Sequence, residues 1–120
     1  MDVRIKTKDY EMLPDVAAYL DERMRTVEKH LGEEADKARA EVEIGKDAGH
    51  SKRGENWFAE IQIIRPGEER ARVTQTAETV NAAIDAAKEE LLIVLRKGKT
   101  RRTSQIRRTG AKVKSWLRGK

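Results

Sequence analysis

The chain of 120 residues contains no cysteine, two histidines, two prolines and only 4% aromatic residues. Without cysteine, it has no disulfide bonds, thiol catalysis or cysteine-ligated zinc, and an intracellular protein is favoured. His30 and His50 do not stand at metal-ligand spacing with each other or with a carboxylate motif. No phosphate-binding glycine loop and no nucleophile elbow is present. We therefore expect no enzymatic activity, no catalytic residue, no metal ion, no cofactor and no small-molecule substrate.

Long apolar segments are also missing. No run approaches the ~20 apolar residues needed to span a bilayer, and the N-terminal stretch MDVRIKTKDY lacks the apolar core of a secretory signal. Hydrophobic residues nevertheless make up 38% of the chain, which is enough for one modest core in a chain of this length. These features predict a soluble cytoplasmic protein with one domain and a tail.

The charges that are present are distributed unevenly. The chain has 26 basic and 21 acidic side chains. Residues 98–120 contain nine of the basic side chains and no Asp or Glu, which leaves 17 basic and 21 acidic side chains in residues 1–97. We call residues 98–120 the basic tail. A tail of this kind on an acidic body indicates a polyanionic partner, such as nucleic acid or an anionic membrane.

Hydrophobic periodicity predicts an α+β fold. Alternating apolar residues predict half-buried strands, and apolar residues at intervals of three and four predict amphipathic helices. Pro14 suits a helix start, Gly32 a helix end, Pro66-Gly67 a tight turn and Thr79 a helix cap. The predicted elements are a strand at 2–7, a helix at 14–31 with an apolar stripe from Leu13 to Leu31, a strand from 36 to 44, a loop at 45–56, strands at 57–64 and 69–76, and a helix with a stripe at Val80, Ala83, Ile84, Ala87, Leu91, Val94 and Leu95.

The order β-α-β-β-β-α predicts two helices packed on one face of a four-stranded sheet, as in double-stranded-RNA-binding domains, followed by the basic tail. We expect residues 98–104 to be flexible. Residues 105–118 contain Ile106, Val113, Trp116 and Leu117 at near-helical spacing, so we expect a helix there only in a bound state. Gly110 would weaken it by up to ~1 kcal/mol.

Two stretches of the chain resemble the ribosome hibernation promoting factors, also called ribosome-associated inhibitors. VRIKTKDYEMLPDVAAYLDERMRTVEKHL (3–31) is similar to the first strand, lysine-containing turn and first helix of that family. RPGEERARVTQTAETVNAAIDAAKEEL (65–91) is similar to its Pro-Gly hairpin and to the Ala-Ala-Ile-Asp core of its second helix. The order of strands and helices also agrees, and the resemblance covers about residues 1–97.

The resemblance implies a function and a partner. Members of the family bind rRNA of the small ribosomal subunit, in the channel used by mRNA and by tRNA in the A and P sites, and silence the ribosome under stress. Residues 1–97 would then be the ribosome-binding domain, and the tail would be flexible or partly helical. Ribosome dimerisation through a separate C-terminal domain is not expected, because about 23 residues follow the second helix. We expect a monomer away from the ribosome.

Cationic side chains are the expected contacts, because phosphate recognition needs Lys and Arg rather than catalytic groups. The resemblance implies such roles for Lys8, Arg23, Lys29 and Lys97. It also marks a departure, since Glu90 and Ile93 stand where the family carries cations, and we hypothesise that the tail compensates for them. The predicted RNA-binding residues are Lys8, Arg23, Arg25, Lys29, Arg70, Arg72, Arg96, Lys97, Lys99, Arg101, Arg102, Arg107, Arg108, Lys112, Lys114 and Trp116.

Other interpretations stay open at this point. The helical cations could simply face water, Arg70 and Arg72 could pair with Glu60 or Glu41 across the sheet, and the tail could only aid solubility. Trp116 could dock on the body or stack on a base. The alternative functions are a general structured-RNA-binding module, an anionic-membrane binder that uses the tail as an interfacial helix, and an adaptor for an acidic protein.

Overall fold

The computed structural model describes the backbone of residues 1–46 and 56–110 and the side chains of residues 1–46 and 56–97. Within these ranges the elements are β1 (Asp2–Lys8), α1 (Pro14–Leu31), a short 3-10 helix (Gly32–Lys37), β2 (Arg39–Lys46), β3 (Trp57–Ile64), β4 (Ala71–Ala77) and α2 (Val80–Gly110). The order agrees with the predicted β-α-β-β-β-α fold. Most of the predicted loop at 45–56 and the last ten residues of the predicted tail lie outside the described residues.

The four strands form one sheet in the order β1-β2-β3-β4. β1 pairs with β2 in parallel, and the other pairs are antiparallel. The alternation of each strand places small and β-branched residues such as Ala40, Val42 and Ile61 on the face that the helices cover, where they are buried. The charged residues between them form an open face. This confirms the predicted layering, with both helices on one side of the sheet.

Helix α1 begins at Pro14 and ends at Leu31, and the next residue, Gly32, has a φ of 61°, a conformation that glycine adopts without strain. Val16, Leu20, Met24, Val27 and Leu31 form its buried stripe, as the spacing predicts. Leu13 was predicted to begin that stripe, and this prediction is wrong. It is the residue before the helix and is 57% exposed, because the extended backbone there points its side chain away from the core.

Helix α2 begins after Thr79, whose Oγ1 accepts a hydrogen bond from the backbone N–H of Ala82 at 3.1 Å. This confirms the predicted cap, which satisfies one of the free donors of the first turn. Ala83, Ile84, Ala87, Leu91 and Leu95 are buried. Val94 was predicted to be buried with them but is 37% exposed, whereas the next residue, Leu95, is buried and lines a depression with Leu31 of α1, so burial at this end of the body depends on which side of α2 a residue occupies.

Three boundaries differ from the predictions. The chain between α1 and β2 is a 3-10 helix through Lys37, so β2 starts at Arg39 rather than near residue 36, and β4 starts at Ala71 rather than 69. The backbone of α2 is helical without a break through residues 98–110, whereas residues 98–104 were expected to be flexible and residues 105–118 to be helical only in a bound state. Six of the thirteen residues 98–110 are Lys, Arg or Gln, which are good helix formers, while Gly98 costs about 1 kcal/mol relative to Ala. The division between a binding domain and a tail at residue 97 stays a prediction.

Strand β1 is the exposed edge of the sheet. Val3 is half-buried, as predicted, but Ile5 at the centre of the strand is 46% exposed. The helices cover β2, β3 and β4 and leave this part of β1 open, so the strand has accessible side chains on both faces.

Candidate nucleic-acid interface

The two helices lie side by side and run in the same direction. Tyr19 and Arg23 of α1 contact Asp85 near the start of α2, and Leu31 and Leu95 near the other end line one depression. The carboxyl end of α1 therefore lies beside the part of α2 around Leu95, from which α2 continues to Gly110. The end of α1 carries a partial negative charge, which favours cations in its last turn.

Exposed cations are found at that end. Lys29 lies in the last turn of α1, and Arg96 and Lys97 follow Leu95 on α2; all three are exposed, and none has an ion pair among the described side chains. We call Lys29, Arg96 and Lys97 the helix-end cations. Helix α2 continues beyond them to Gly110, and no Asp or Glu follows Glu90 in the sequence. The structure thus brings together three predicted contacts and joins them to the helical part of the basic tail.

Arg23 is not free in the same way. Its Nε donates to Asp85 Oδ1 at 2.9 Å, its Nη1 donates to Glu22 Oε1 at 3.2 Å, and its guanidinium lies 4.0 Å from the ring centroid of Tyr19. The hydrogen bond to Asp85 raises the pKa of Arg23 above its usual value. The sequence predicted an RNA contact at this position, but in the structure the Arg23 side chain binds the carboxylates of Asp85 and Glu22.

Arg25 has a weaker internal partner. It pairs with Asp21 one helical turn away at 3.0 Å, and both side chains are mostly exposed. Such a pair stabilises a helix by only about 0.3–0.5 kcal/mol and is screened by salt. Arg25 can therefore exchange Asp21 for a phosphate at little cost, unlike Arg23.

Arg70 and Arg72 lie away from the helices, at the β4 side of the open sheet face. Arg72 contacts Glu60 through Nε at 2.8 Å and Nη2 at 2.7 Å, and Arg70 donates to Gln62 at 2.9 Å. The cross-strand pairing of Arg72 with Glu60 is the alternative that the sequence left open. The structure therefore does not bring these two predicted contacts to the helix-end cations.

Lys8 ends β1 at the opposite end of the body, where it pairs in register with Gly45. Lys6 stands two residues before it on the same face of the edge strand, exposed and without an ion pair among the described side chains. Lys6 is not among the predicted contacts, although the alternation of β1 places it beside Lys8. Lys46, with its ammonium 5.4 Å from the ring centroid of Trp57, was also not selected.

The two departures from the family pattern differ in their surroundings. Glu90 accepts a hydrogen bond from Gln75 of β4 at 2.6 Å, so it faces the sheet edge. Ile93 is 46% exposed and lies one turn before Lys97.

Of the other predicted contacts, Lys99, Arg101, Arg102, Arg107 and Arg108 have described backbone only, and Lys112, Lys114 and Trp116 lie outside the described residues.

Other kinds of site find no support in the described part of the chain. Its side chains include no group of three or more His, Asp or Glu arranged to hold a metal ion. None of its helices is both long and apolar enough to cross a membrane.

Comparison with known proteins places these features in a family. The family model for Sigma 54 modulation protein / S30EA ribosomal protein (Ribosomal_S30AE) matches residues 3–103. No curated protein matches the chain. Two similar solved structures are the Thermus thermophilus Protein Y N-terminal domain (22% identity, TM-score 0.64, 81% of this chain and 98% of that one) and a ribosomal subunit interface protein from Coxiella burnetii (10% identity, TM-score 0.66, 83% and 99%). At these identities the two structures confirm the fold.

Proposed function

The chain belongs to the Ribosomal_S30AE family of ribosome-binding hibernation proteins, and from this membership we propose that it silences the ribosome by binding rRNA of the small subunit. The site that we propose is the channel occupied by mRNA and by tRNA in the A and P sites. The protein would act in the cytoplasm, where ribosomes are found, and as a monomer before it binds.

The observation that carries the proposal is the cluster of helix-end cations and its continuation along α2. Lys29, Arg96 and Lys97 are exposed and have no carboxylate partner among the described side chains. Five further Lys or Arg residues follow on the helical backbone to Gly110. A set of cations of this kind suits contact with phosphates.

Inhibition by this route requires only occupancy. A folded body held in the channel by many phosphate contacts excludes mRNA and tRNA sterically, and no bond is made or broken. Each neutralised phosphate releases a counterion, so the complex should weaken steeply as salt rises. Structured RNA suits this mode of binding, because its deep major groove leaves backbone and shape as the accessible features.

The tail supplies charge that the body lacks. Residues 1–97 carry more acidic than basic side chains, and Glu90 and Ile93 replace two cations of the family pattern. We propose that residues 98–120 restore this charge, with Trp116 stacking on a base.

Sedimentation tests the proposal directly. Purified protein is mixed with separated small and large subunits, with and without excess mRNA and tRNA, and pelleted through sucrose. We expect it to travel with the small subunit and to be displaced by mRNA together with tRNA. Free RNA duplex serves as the competitor control. Displacement by duplex at equal phosphate concentration would instead favour a general structured-RNA-binding module.

A further inference from the structure

Three side chains tie the two helices together. Asp85 of α2 accepts a hydrogen bond from the Tyr19 hydroxyl through Oδ2 and one from Arg23 Nε at 2.9 Å through Oδ1. The Arg23 guanidinium also lies over the Tyr19 ring, 4.0 Å from its centroid. Each of the three side chains therefore contacts the other two, across the seam between α1 and α2.

The cluster is held in its charged form. Only 25% of the Arg23 side chain is exposed. Burial acts to raise the pKa of Asp85, but the hydrogen bonds from Tyr19 and Arg23 outweigh it, and the pKa is lower than usual. The bond to Asp85 also raises the pKa of Tyr19. Asp85 is thus an ionised carboxylate with two specific donors at neutral pH.

The cluster fixes geometry that apolar packing leaves loose. Hydrophobic contacts between helices are non-directional, whereas hydrogen bonds between charged groups need a defined distance and angle. Lys29 lies six residues after Arg23, about 9 Å along α1, and Arg96 lies eleven residues after Asp85, about 16 Å along α2. A rotation or slide of one helix at the cluster would therefore move these cations relative to one another.

We propose that Tyr19, Arg23 and Asp85 form a clamp that positions the phosphate-binding side chains of α1 and α2, and that Arg23 serves RNA binding through this clamp without touching phosphate. This inference rests on the proposed function. It departs from the contact role that the family resemblance implies for Arg23.

Direct contact between Arg23 and a phosphate would be energetically unfavourable. A phosphate that took Arg23 would have to displace Asp85, leaving a partly buried carboxylate without its cation and next to a second anion. Asp85 is 43% exposed, so water replaces part of the lost interaction, but the carboxylate and the phosphate would repel each other at close range. Arg25, two residues away and paired only with the exposed Asp21, carries no such penalty.

Four variants test the clamp by affinity for isolated small subunits. Asp85→Asn and Arg23→Gln break it, while Asp21→Asn and Arg25→Gln remove the same charges from an exposed pair on α1. Binding is measured against salt, at temperatures where circular dichroism finds each variant folded. Tyr19→Phe, which loses one hydroxyl, is the milder variant if the others unfold.

We expect Asp85→Asn to weaken binding about tenfold, equal to about 1.4 kcal/mol, although it makes the protein more positive. Asp21→Asn should bind as well as the parent or better. Arg23→Gln should weaken binding and lower the slope of log K against log salt no more than Asp85→Asn does, because both variants break the same clamp. A slope shallower than that of Asp85→Asn by about 0.7–0.9 would mean that Arg23 contacts a phosphate, and this result, or Asp85→Asn binding as well as Asp21→Asn, overturns the clamp.

An NMR measurement separates failure of the clamp from failure of the proposed function. In amide spectra of the free Asp85→Asn variant, we expect shifts at Lys29 and Arg96 as well as near position 85. Changes confined to one turn around residues 19, 23 and 85 refute the clamp, whatever the protein binds. If the unsubstituted protein does not bind small subunits, the proposed function is refuted, and the NMR measurement still tests the clamp.

Discussion

Gly45 on β2 lies directly against the main chain of Lys8 on β1: a Cβ atom built on Gly45 would lie 2.3 Å from the carbonyl oxygen of Lys8 and 2.8 Å from its Cβ. No side chain fits in that space, because the obstacle is backbone. The close approach of the end of β1, which carries Lys8, to β2 therefore requires glycine at position 45.

Substitution of Gly45 by Ala tests this contact. The methyl group would push the end of β1 away, and overpacking of this kind costs about 1–3 kcal/mol of the free energy of unfolding. Urea denaturation measures it. Gly67→Asn is the control, because Gly67 has a φ of 73° but a Cβ atom at that position would meet nothing within 4 Å, and Asn tolerates that conformation. Equal stability of Gly45→Ala and the parent would contradict the steric account.

Removal of residues 98–120 tests the role of the tail. The deleted segment contains nine Lys or Arg residues, so the slope of log K against log salt should become shallower by up to about 6–8 if all contact phosphates. Binding to small subunits in filter assays across salt concentrations gives both slopes. Trp116→Ala retains every tail cation, so it should keep the slope and lose about 1–3 kcal/mol if the indole stacks on a base. Unchanged affinity and slope after truncation would refute the tail hypothesis.

Lowering the pH should reduce the stabilisation that Asp85 contributes to the folded protein. The pKa of Asp85 is lower in the folded protein than its ordinary value of 3.8, so the folded state binds the proton less readily than the unfolded state. The stabilisation from Asp85 is therefore fully present above about pH 4 and is lost as the pH falls through the folded pKa. We expect the stability gap between the parent and Asp85→Asn to narrow from pH 7 to pH 2.5 in chemical denaturation. A gap that widens on acidification has the wrong sign for this account.

Restoring a cation at position 93 should strengthen binding. Ile93 is 46% exposed on α2 and close to Lys97, so Ile93→Lys adds a charge beside the helix-end cations without opening a cavity. We expect tighter binding to small subunits and a slope steeper by about 0.7–0.9, with stability changed by no more than about 0.5 kcal/mol. Leu13→Lys adds the same charge at the other end of the helices. If Ile93→Lys and Leu13→Lys increase the affinity for small subunits equally, the net charge of the protein explains the effect, and the position of the added lysine does not.

Periodicity was sufficient to predict the strands, both helices and their layering, because each buries one face and the spacing of apolar residues records that face. It failed where tertiary position decides burial. Leu13, Ile5 and Val94 fit their apolar patterns but lie at the ends or edge of the body, where no neighbouring element covers them. The helical backbone of residues 98–104 could not be predicted in this way, because this segment contains no apolar side chain whose spacing would indicate a helix.

The candidate site was predictable as a set of cations but not as a surface. Sequence cannot tell Arg23, engaged by a carboxylate 62 residues away, from Lys29, which has no such partner among the described side chains. For the same reason the predicted contacts include Arg72, which pairs with Glu60, but not Lys6. Which cations remain available depends on tertiary pairing, and only the fold determines that.

The continuous helical backbone of α2 through Gly110 changes the free energy with which this segment binds RNA. A disordered segment loses about 1–2 kcal/mol of backbone entropy for each residue that becomes fixed on binding. Residues 98–110 already have helical backbone in the free protein, so that loss has largely been incurred during folding. The same positive charges should therefore hold an RNA strand more tightly, and release it more slowly, than they would from a disordered chain of identical composition.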